Sequence, residues 1–335
     1  MKGAYFLGNK AFEIKETALP VPGPDELLVK NMACGICGTD VRIYHGEPGS
    51  AEVTPPVILG HEFAGEVAEA GIASGYKPGD RVAIDPNIYC GKCVHCRRGK
   101  KQLCDNLSAI GVTRNGGFAE YSLIPSSQAY LLNSTLDFES GAMVEPIACC
   151  LHGIDIAGIK PGDNVCVIGG GAIGLIMVQL ARISGASVVI LCEPVEKRRD
   201  VGGILGADDC VSPDKLMPVF SNKSADVVIE CAGNNAAIKQ AFQVAGKGAS
   251  IVLFSVPAPD AVFQLPLLEL YKKELKILGS FINPDTHSRA TDLLNAGLIN
   301  VKPLITHRFG LDEMEQAIHT QTKNDSIKVI VKPNG

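Results

Sequence analysis

The sequence predicts an α/β protein with two domains, and three observations support this. Its 335 residues exceed the length at which a single hydrophobic core usually stops growing. Residues 1–145 combine short apolar runs with Gly- and Pro-rich turns, which is typical of short β-strands and suggests a barrel. From about Ile147, strand-like runs alternate with helical stretches, as in βαβ units around a parallel sheet. The pattern becomes mixed again after about Phe281, and the chain ends in another strand candidate, KVIVKP.

Composition excludes several classes of protein. The formal net charge of −5 provides no basic surface for nucleic acid. No apolar run reaches the roughly 18 residues of a membrane span, and the first residues lack the pattern of a signal peptide. We therefore expect a cytoplasmic protein with neither nucleic acid nor membrane as a partner. In such a protein, the 12 cysteines indicate metal binding or catalysis rather than disulfides.

A glycine motif predicts a dinucleotide site. Gly169, Gly171 and Gly174 follow a strand candidate and open a helical stretch in the G-x-G-x-x-G spacing. The first glycine makes a tight turn, the second lets the backbone approach the pyrophosphate, and the third packs helix on strand. Glu193 follows the next strand candidate, where an acidic side chain accepts from the ribose hydroxyls, so we expect NAD as the coenzyme. The alternative is a glycine turn in an unrelated α/β protein. We also assign three neighbouring residues to this site: Ala172, Ile173 and Arg198.

Four cysteines in the spacing C-x2-C-x2-C-x7-C predict a structural zinc site. Four thiolates at this spacing can close around one zinc ion and leave no position for a substrate. His95, inside this loop, is interpreted as a surface residue. A zinc-ribbon module for nucleic acid could use the same cysteines, but the negative net charge argues against it. The basic run RRGKK at 97–101 is typical of a solvated face. The four predicted ligands are Cys90, Cys93, Cys96 and Cys104.

A second, dispersed set of residues could hold a catalytic metal. One sulfur, one imidazole and a carboxylate would leave zinc an exchangeable position, which a catalytic zinc site needs. Taken singly, each residue also has an ordinary structural role, such as a core cysteine or a hydrogen-bonded His–Glu pair. Spacing along the sequence does not unite them. The candidates are Cys37 in CGICGTD, His61 and Glu62 in LGHEFAGEV, and Glu145 in GAMVEP.

A resemblance to a known family unites these residues. The chain resembles the zinc-containing medium-chain dehydrogenase/reductase family, in its polyol dehydrogenase branch. The similarity runs nearly from end to end and is carried by GICGTD, LGHEFAGEV, GDRVAIDP, the four-cysteine segment, GGFAEY, VEPIACCLHG, GGGAIG and KPLITHRF. It implies a GroES-like β-barrel catalytic domain of residues 1–145 and 282–335. It also implies a Rossmann-type coenzyme domain of residues 146–281.

The resemblance also assigns roles at the catalytic metal. It makes Cys37 and His61 ligands of a catalytic zinc and Glu62 the third protein ligand, and Glu145 would coordinate directly or through water. Two zinc ions per chain follow, one catalytic and one structural. Thr39 takes the family's position for a hydroxyl that accepts the substrate proton. That proton would leave along a hydrogen-bond chain that includes the coenzyme ribose and His45.

The expected reaction is oxidation of a secondary alcohol to a ketone with NAD. The resemblance implies a polyol or sugar-derived substrate, with or without a phosphate at one end. We expect Phe118 to form an apolar wall and Tyr44, His45 and Asn283 to meet substrate hydroxyls. The chain departs from many relatives by Arg42 in place of a histidine, and by Ile282 where sorbitol-specific members carry arginine.

Two alternatives stay open. The GICGTD stretch also resembles threonine dehydrogenases, which oxidise an amino alcohol, and a non-catalytic zinc- and nucleotide-binding protein would use the same motifs. By analogy with the family we expect a homodimer or homotetramer, in which the late strands of the coenzyme domain around SIVLFSV could pair across a two-fold axis.

Overall fold

The computed structural model describes residues 1–49 and 51–334. It divides into two compact units, residues 1–148 with 282–335, and residues 149–281. The sequence placed the boundaries after residues 145 and 281. The first boundary of the structure lies inside the helix Val144–Ala157. Because this helix crosses the change of composition without interruption, no turn signal marks the boundary in the sequence.

The first unit is mainly β-structure, as its turn-rich sequence predicts. Its strands up to the boundary are β1 (Lys2–Gly8), β2 (Ala11–Glu16), β3 (Glu26–Gly35), β4 (Val57–Ile58), β5 (Glu62–Ala70), β6 (Arg81–Ile84), β7 (Asn87–Ile88), β8 (Ser108–Ala109), β9 (Tyr121–Pro125) and β10 (Ala129–Leu131). Its helices up to the boundary are α1 (Gly38–Tyr44), α2 (Val94–Arg97) and α3 (Phe138–Ala142), and α4 (Val144–Ala157) begins in this unit and continues into the second.

The second unit is a parallel sheet covered by helices, and it confirms the predicted βαβ pattern. Its elements are β11 (Asn164–Ile168), α5 (Ala172–Ile183), β12 (Val188–Cys192), α6 (Glu196–Ile204), β13 (Asp209–Val211), α7 (Leu216–Val219), β14 (Ala225–Glu230), α8 (Asn235–Val244), β15 (Ala245–Leu253), α9 (Leu267–Lys273) and β16 (Lys276–Gly279). The strand order is β13-β12-β11-β14-β15-β16. The order reverses between β11 and β14, and ligands of such sheets bind outside the carboxyl ends of the strands at this switch point.

The last part of the chain returns to the first unit. It forms α10 (His287–Asn295), β17 (Ile305–Phe309), α11 (Met314–Gln321) and β18 (Lys328–Val331). The largest sheet among the described residues has the order β10-β6-β5-β3-β18-β17, with β9 also paired to β3. β18 pairs antiparallel with β3, with Ile330 opposite Gly35. The C-terminal strand therefore lies beside the strand that leads to Cys37.

The sheet of the second unit bears on the expected pairing of its late strands across a two-fold axis. β15, which contains SIVL, lies between β14 and β16, so both of its edges are paired within the chain. The outer edge on this side belongs to the next late strand, β16. Pairing with a second copy stays a prediction. Among the described residues, we find no helix long and apolar enough to cross a membrane.

Candidate active site and metal centres

Cys37, His61 and Glu62 come together because two strands pair antiparallel. β3 ends at Gly35 and β5 begins at Glu62, and these two residues are partners in the sheet. Cys37 follows β3 by two residues and is the N-cap of α1. One ligand atom from each of Cys37, His61 and Glu62 lies within 4.8 Å of the others. The fold thus assembles three of the predicted metal ligands.

Gly35 leaves room for the Glu62 carboxylate. A Cβ atom at this position would overlap Glu62 Oε2 and lie 3.3 Å from Glu62 Cβ. Both residues are buried, so neither could move into solvent to relieve the overlap. The observed position of the Glu62 carboxylate therefore requires the glycine that ends β3.

Asp40 orients the imidazole of His61. Its carboxylate is fully buried, accepts a hydrogen bond from the Cys37 amide at 2.8 Å, and lies 3.5 Å from His61 Nδ1. A carboxylate beside Nδ1 favours a proton on that nitrogen and leaves the other nitrogen free to bind a metal. Burial by itself lowers the pKa of His61, but the negative charges of Asp40 and Cys37 outweigh it and hold this pKa well above its ordinary value. The site therefore favours a positive charge.

Glu62 has a buried cationic partner. Lys328 Nζ lies 2.5 Å from Glu62 Oε2 and donates to the Ile36 carbonyl at 3.2 Å. Burial alone lowers the pKa of Lys328, but Glu62, Cys37 and Glu145 outweigh it and raise this pKa. Glu145 lies outside the three-ligand group of the structure and is 7% exposed. Its effect on Lys328 places it within electrostatic range of the site.

These residues fit a catalytic zinc. The donor set of one thiol, one imidazole and one carboxylate leaves a tetrahedral ion one position for substrate or water. Asp40 Oδ1 and His61 Nδ1 are both buried, and neither has a hydrogen-bond partner among the described residues. A metal on the second ring nitrogen would fix the imidazole against Asp40 and satisfy both atoms.

The four cysteines of residues 90–104 form a second, closed group. Their sulfur atoms also lie within 4.8 Å of one another. The amides of Cys93 and Cys96 donate to Cys90 Sγ at 3.4 Å and Cys93 Sγ at 3.5 Å. Hydrogen bonds from the Lys92 and Cys93 amides lower the pKa of Cys90 to about 6, whereas burial raises the pKa of Cys96 to about 12. Four sulfur ligands around one centre fit a structural zinc ion. His95 is partly exposed, 3.8 Å from Asp105.

The glycine loop of the second unit has the geometry that its sequence predicts. Gly169 follows β11 with φ +102°, a value that L side chains rarely adopt. Gly171 is the N-cap of α5, and a Cβ atom there would meet nothing within 4 Å, which leaves space for a phosphate. A Cβ atom at Gly174 would overlap the Gly169 carbonyl oxygen. The N–H groups at the start of α5, where Ala172 and Ile173 lie, are suited to bind an anion.

Glu193 is held at the edge of this loop. Its carboxylate accepts hydrogen bonds from the amides of Gly170 at 2.6 Å and Val195 at 2.8 Å. Arg199 Nη1 donates to the carbonyls of Glu193 and Pro194, so its guanidinium supports the backbone of the acidic residue. Arg198 lies partly buried in the first turn of α6, and its contact with the adenine stays a prediction.

Comparison with known proteins matches both units to one family. Residues 23–134 match the alcohol dehydrogenase GroES-like domain, and residues 172–296 match the zinc-binding dehydrogenase domain. Sorbitol dehydrogenase of Bacillus subtilis (strain 168) is 31% identical, over 96% of this chain and 95% of that protein. L-threonine 3-dehydrogenase of Caldanaerobacter subterraneus subsp. tengcongensis is 32% identical over the same shares. The chain belongs to the zinc-containing medium-chain dehydrogenases.

A solved structure supports the same assignment. A zinc-binding dehydrogenase from Sinorhizobium meliloti 1021, bound to NADP, has 43% sequence identity and a TM-score of 0.94, with 99% of each chain covered. The expected fold class, a GroES-like domain with a Rossmann-type domain, is thereby confirmed. The protein is therefore an oxidoreductase, and this assignment replaces the alternative hypothesis of a non-catalytic zinc- and nucleotide-binding protein.

The predicted substrate contacts of the dehydrogenase lie in different environments. Tyr44 is 4% exposed and stacks on Phe12 with ring centroids 5.8 Å apart. Phe118 is fully buried in the core of the first unit. Asn283 is also fully buried and accepts from Asn87 Nδ2 at 2.5 Å. His45 is exposed at the end of α1. The structure thus gives Tyr44, Phe118 and Asn283 packing roles, and their contact with substrate stays a prediction.

Two residues of the site were missed by reasoning from the sequence. Asp40 lies within GICGTD, three residues after Cys37, but an acidic residue in the first turn of a helix is ordinary. Lys328 opens the apolar run KVIV, and its only signal is a charge at the start of a strand whose other residues are all buried. Neither signal indicates a metal, because the partners come from other strands.

Proposed function

We propose that this dehydrogenase oxidises a secondary alcohol of a polyol or sugar-derived substrate to the ketone, with NAD as the hydride acceptor. The observation that carries the proposal is the group Cys37, His61 and Glu62, with Glu145 in electrostatic range. One sulfur with carboxylate oxygens makes a harder and more hydrophilic metal site than two sulfurs would. Such a site suits a vicinal diol, because one hydroxyl can bind the metal while its neighbour donates to a carboxylate.

Different residues of the chain have different roles in the reaction. When bound, zinc would act as a Lewis acid that lowers the pKa of the substrate hydroxyl. Thr39, partly buried in the first turn of α1, takes up the proton of that hydroxyl while it passes its own hydroxyl proton along a hydrogen-bond chain toward His45. His45, exposed at the end of the same helix, exchanges it with solvent. Asp40 holds the His61 ring, and the coenzyme carries the hydride chemistry.

The coenzyme preference follows from Glu193. Both carboxylate oxygens are held by backbone amides, and the side chain is 3% exposed. A fixed carboxylate accepts from a ribose hydroxyl and repels a 2′-phosphate, which favours NAD. The Sinorhizobium meliloti relative holds NADP, so the preference of this chain needs its own measurement. A lower catalytic efficiency with NAD than with NADP would refute the proposed preference for NAD.

The decisive experiment is a substrate panel with the zinc-loaded protein, measured by NADH absorbance. Polyols, polyol phosphates, sugar acids, threonine and simple alcohols are compared by kcat/KM. We expect a vicinal diol of the polyol group to give the highest value. If ethanol or propan-2-ol matched every polyol, the proposed substrate class would be wrong, because a site with buried polar groups discriminates against substrates that leave them unpaired.

Threonine oxidation is the second candidate. It is favoured by the 32% identity to a threonine dehydrogenase over 96% of the chain. Threonine also offers a secondary hydroxyl next to a second polar group, so the same metal site could bind it. The substrate panel separates the two candidates directly. If the protein oxidises threonine, threonine should exceed every polyol in kcat/KM.

We further propose that the protein is a homo-oligomer and that it is cytoplasmic. The outer edge of β16 and several apolar side chains nearby support an oligomer. Leu267, Leu268 and Tyr271 on α9 are 69%, 65% and 81% exposed. Sedimentation velocity at several concentrations tests this, and a monomer throughout would refute it. The location stays a prediction from the sequence.

A further inference from the structure

We propose that Lys328 is a positioning residue for the catalytic metal, because it holds one oxygen of Glu62 and leaves only the other for coordination. The proposal rests on the zinc-dependent function proposed above. It assigns a role to a buried cation that neither the motifs nor the mechanism described so far use.

The geometry of the pair is specific. Lys328 Nζ lies 2.5 Å from Glu62 Oε2, and the two side chains are 5% and 2% exposed. The same ammonium donates to the Ile36 carbonyl at 3.2 Å, which fixes it from a second direction. The Ile36 amide in turn donates to the Val329 carbonyl at 2.9 Å. The backbones of β18 and of the segment after β3 therefore hold the ammonium at one carboxylate oxygen.

The charges around the metal site explain why this matters. The Lys328 ammonium contacts the carboxylate of Glu62 directly, and a ligand atom of Cys37 lies within 4.8 Å of one from Glu62. A thiolate and a carboxylate together neutralise the two positive charges of a zinc ion. By sharing the charge of Glu62, Lys328 weakens this carboxylate as a metal ligand and leaves the ion more electrophilic.

Without the ammonium, both oxygens of Glu62 would be free to coordinate. The ion would then gain a ligand atom and lose some electrophilicity, and it would be held more tightly. A purely structural role predicts the opposite, since the loss of a buried partner would loosen the site and release the metal. The two roles therefore predict opposite changes in metal release.

The test compares Lys328→Met, which removes the charge, with Lys328→Arg, which keeps it. The first measurement is the rate at which a chelator removes the catalytic zinc from the holoenzyme. We expect release from Lys328→Met to be slower, whereas the loss of a partner that only supports a metal ligand typically weakens metal affinity by roughly ten- to a hundredfold. Lys328→Arg should stay much closer to the parent, and the added change Glu62→Gln should abolish the slowing in Lys328→Met.

The second measurement is the visible spectrum of the protein with cobalt(II) in the catalytic site. An additional carboxylate oxygen raises the coordination number, so Lys328→Met should show weaker d–d absorption than Lys328→Arg. Lys328→Leu, which also removes both the charge and the hydrogen-bond donor, gives the same comparison if Lys328→Met does not fold. Faster zinc release with an unchanged cobalt spectrum would overturn the proposal. Neither measurement uses a substrate, so an error in the proposed reaction would not affect the result.

Discussion

The amide of Gly170 donates a 2.6 Å hydrogen bond to Oε2 of Glu193, and this bond joins the glycine loop to the end of the next strand. A Cβ atom at Gly170 would lie 2.8 Å from Glu193 Cγ. The glycine loop and Glu193 therefore pack closely against each other. The fold itself fixes the position of the carboxylate beside the predicted nucleotide site.

Glu193→Gln should reduce the preference for NAD over NADP. The amide keeps the size of the side chain but removes the charge that strengthens a hydrogen bond to the ribose and repels a 2′-phosphate. A hydrogen bond to a charged group contributes about 1.5–3 kcal/mol, so the kcat/KM ratio should fall by roughly ten- to a hundredfold. Glu196→Gln, an exposed acidic residue in the first turn of α6, is the control. If the ratio of kcat/KM with NAD to kcat/KM with NADP were unchanged in both variants, Glu193 would not be a ribose-binding residue.

Metal analysis should find two zinc ions per chain, and a chelator should remove them in two steps. The closed group of Cys90, Cys93, Cys96 and Cys104 offers four sulfur ligands and no open position, so it should release its ion last. The first step should coincide with the loss of dehydrogenase activity. Cys104→Ser should lose one ion and keep the other. Active protein with one zinc or none would contradict this assignment.

Thr39→Val should lower kcat far more than it weakens coenzyme binding. Valine keeps the shape of threonine but cannot accept a proton, and loss of a positioned proton acceptor typically costs roughly a hundred- to ten-thousand-fold in rate. Coenzyme affinity from fluorescence titration and zinc content should stay near the parent values. Thr17→Val, at an exposed position in the first unit, controls for the substitution itself. If turnover of the Thr39 variant equalled that of the parent, the hydroxyl would have a local structural role only.

The buried pair Asp85 and His287 predicts that the protein loses stability as the pH rises toward about 8. The two side chains lie 3.4 Å apart, 7% and 0% exposed. Burial raises the pKa of Asp85 from 3.8 to about 8 and lowers that of His287 from 6.5 to about 3. Between pH 3.8 and about 8 the folded carboxyl keeps a proton that the unfolded chain releases. Its contribution to stability is therefore lost progressively as pH rises through this range.

The window from pH 6.5 to about 8 isolates Asp85. The depressed pKa of His287 changes stability only below about 6.5, where the unfolded imidazole takes up a proton. Asp85→Asn keeps the acceptor for the Asn87 amide but cannot ionise. The free energy of unfolding of the parent, compared with that of this variant, should fall by up to about 1.4 kcal/mol per pH unit. Urea unfolding at several pH values measures this, and parallel pH profiles would show that Asp85 does not titrate in this range.

The second unit was the part of the fold that local sequence predicted best. Its strands and helices alternate regularly, and the glycine loop needs only residues 169–174 and the strand and helix beside them. The boundaries were harder, because α4 passes from one composition to the other without a turn. The order of the strands in the sheet was also hidden, since only the sheet topology shows that β16 and not β15 is at the edge.

The sequence by itself determined the sites that are built within one stretch of chain. The four cysteines lie within a segment of 15 residues, and the glycines act through the backbone of their own loop. Spacing along the sequence alone therefore identifies both the cysteine site and the glycine loop. The proposed catalytic metal site could not be identified from spacing in this way. Its residues were named from the sequence only through the resemblance to a family, because no local pattern connects Cys37 with His61.

Only the tertiary structure decided which side chains lie together at the proposed catalytic metal site. The antiparallel register of β3 and β5 sets Gly35 against Glu62, and the return of β18 to β3 brings Lys328 to Glu62 across 266 positions. It also buried Tyr44 and Asn283, which sequence reasoning had assigned to the substrate. The physical reason is that strand register is set by which apolar faces pack together over the whole sheet. Contacts between distant strands therefore follow from the folded core, and the spacing of residues along the chain does not encode them.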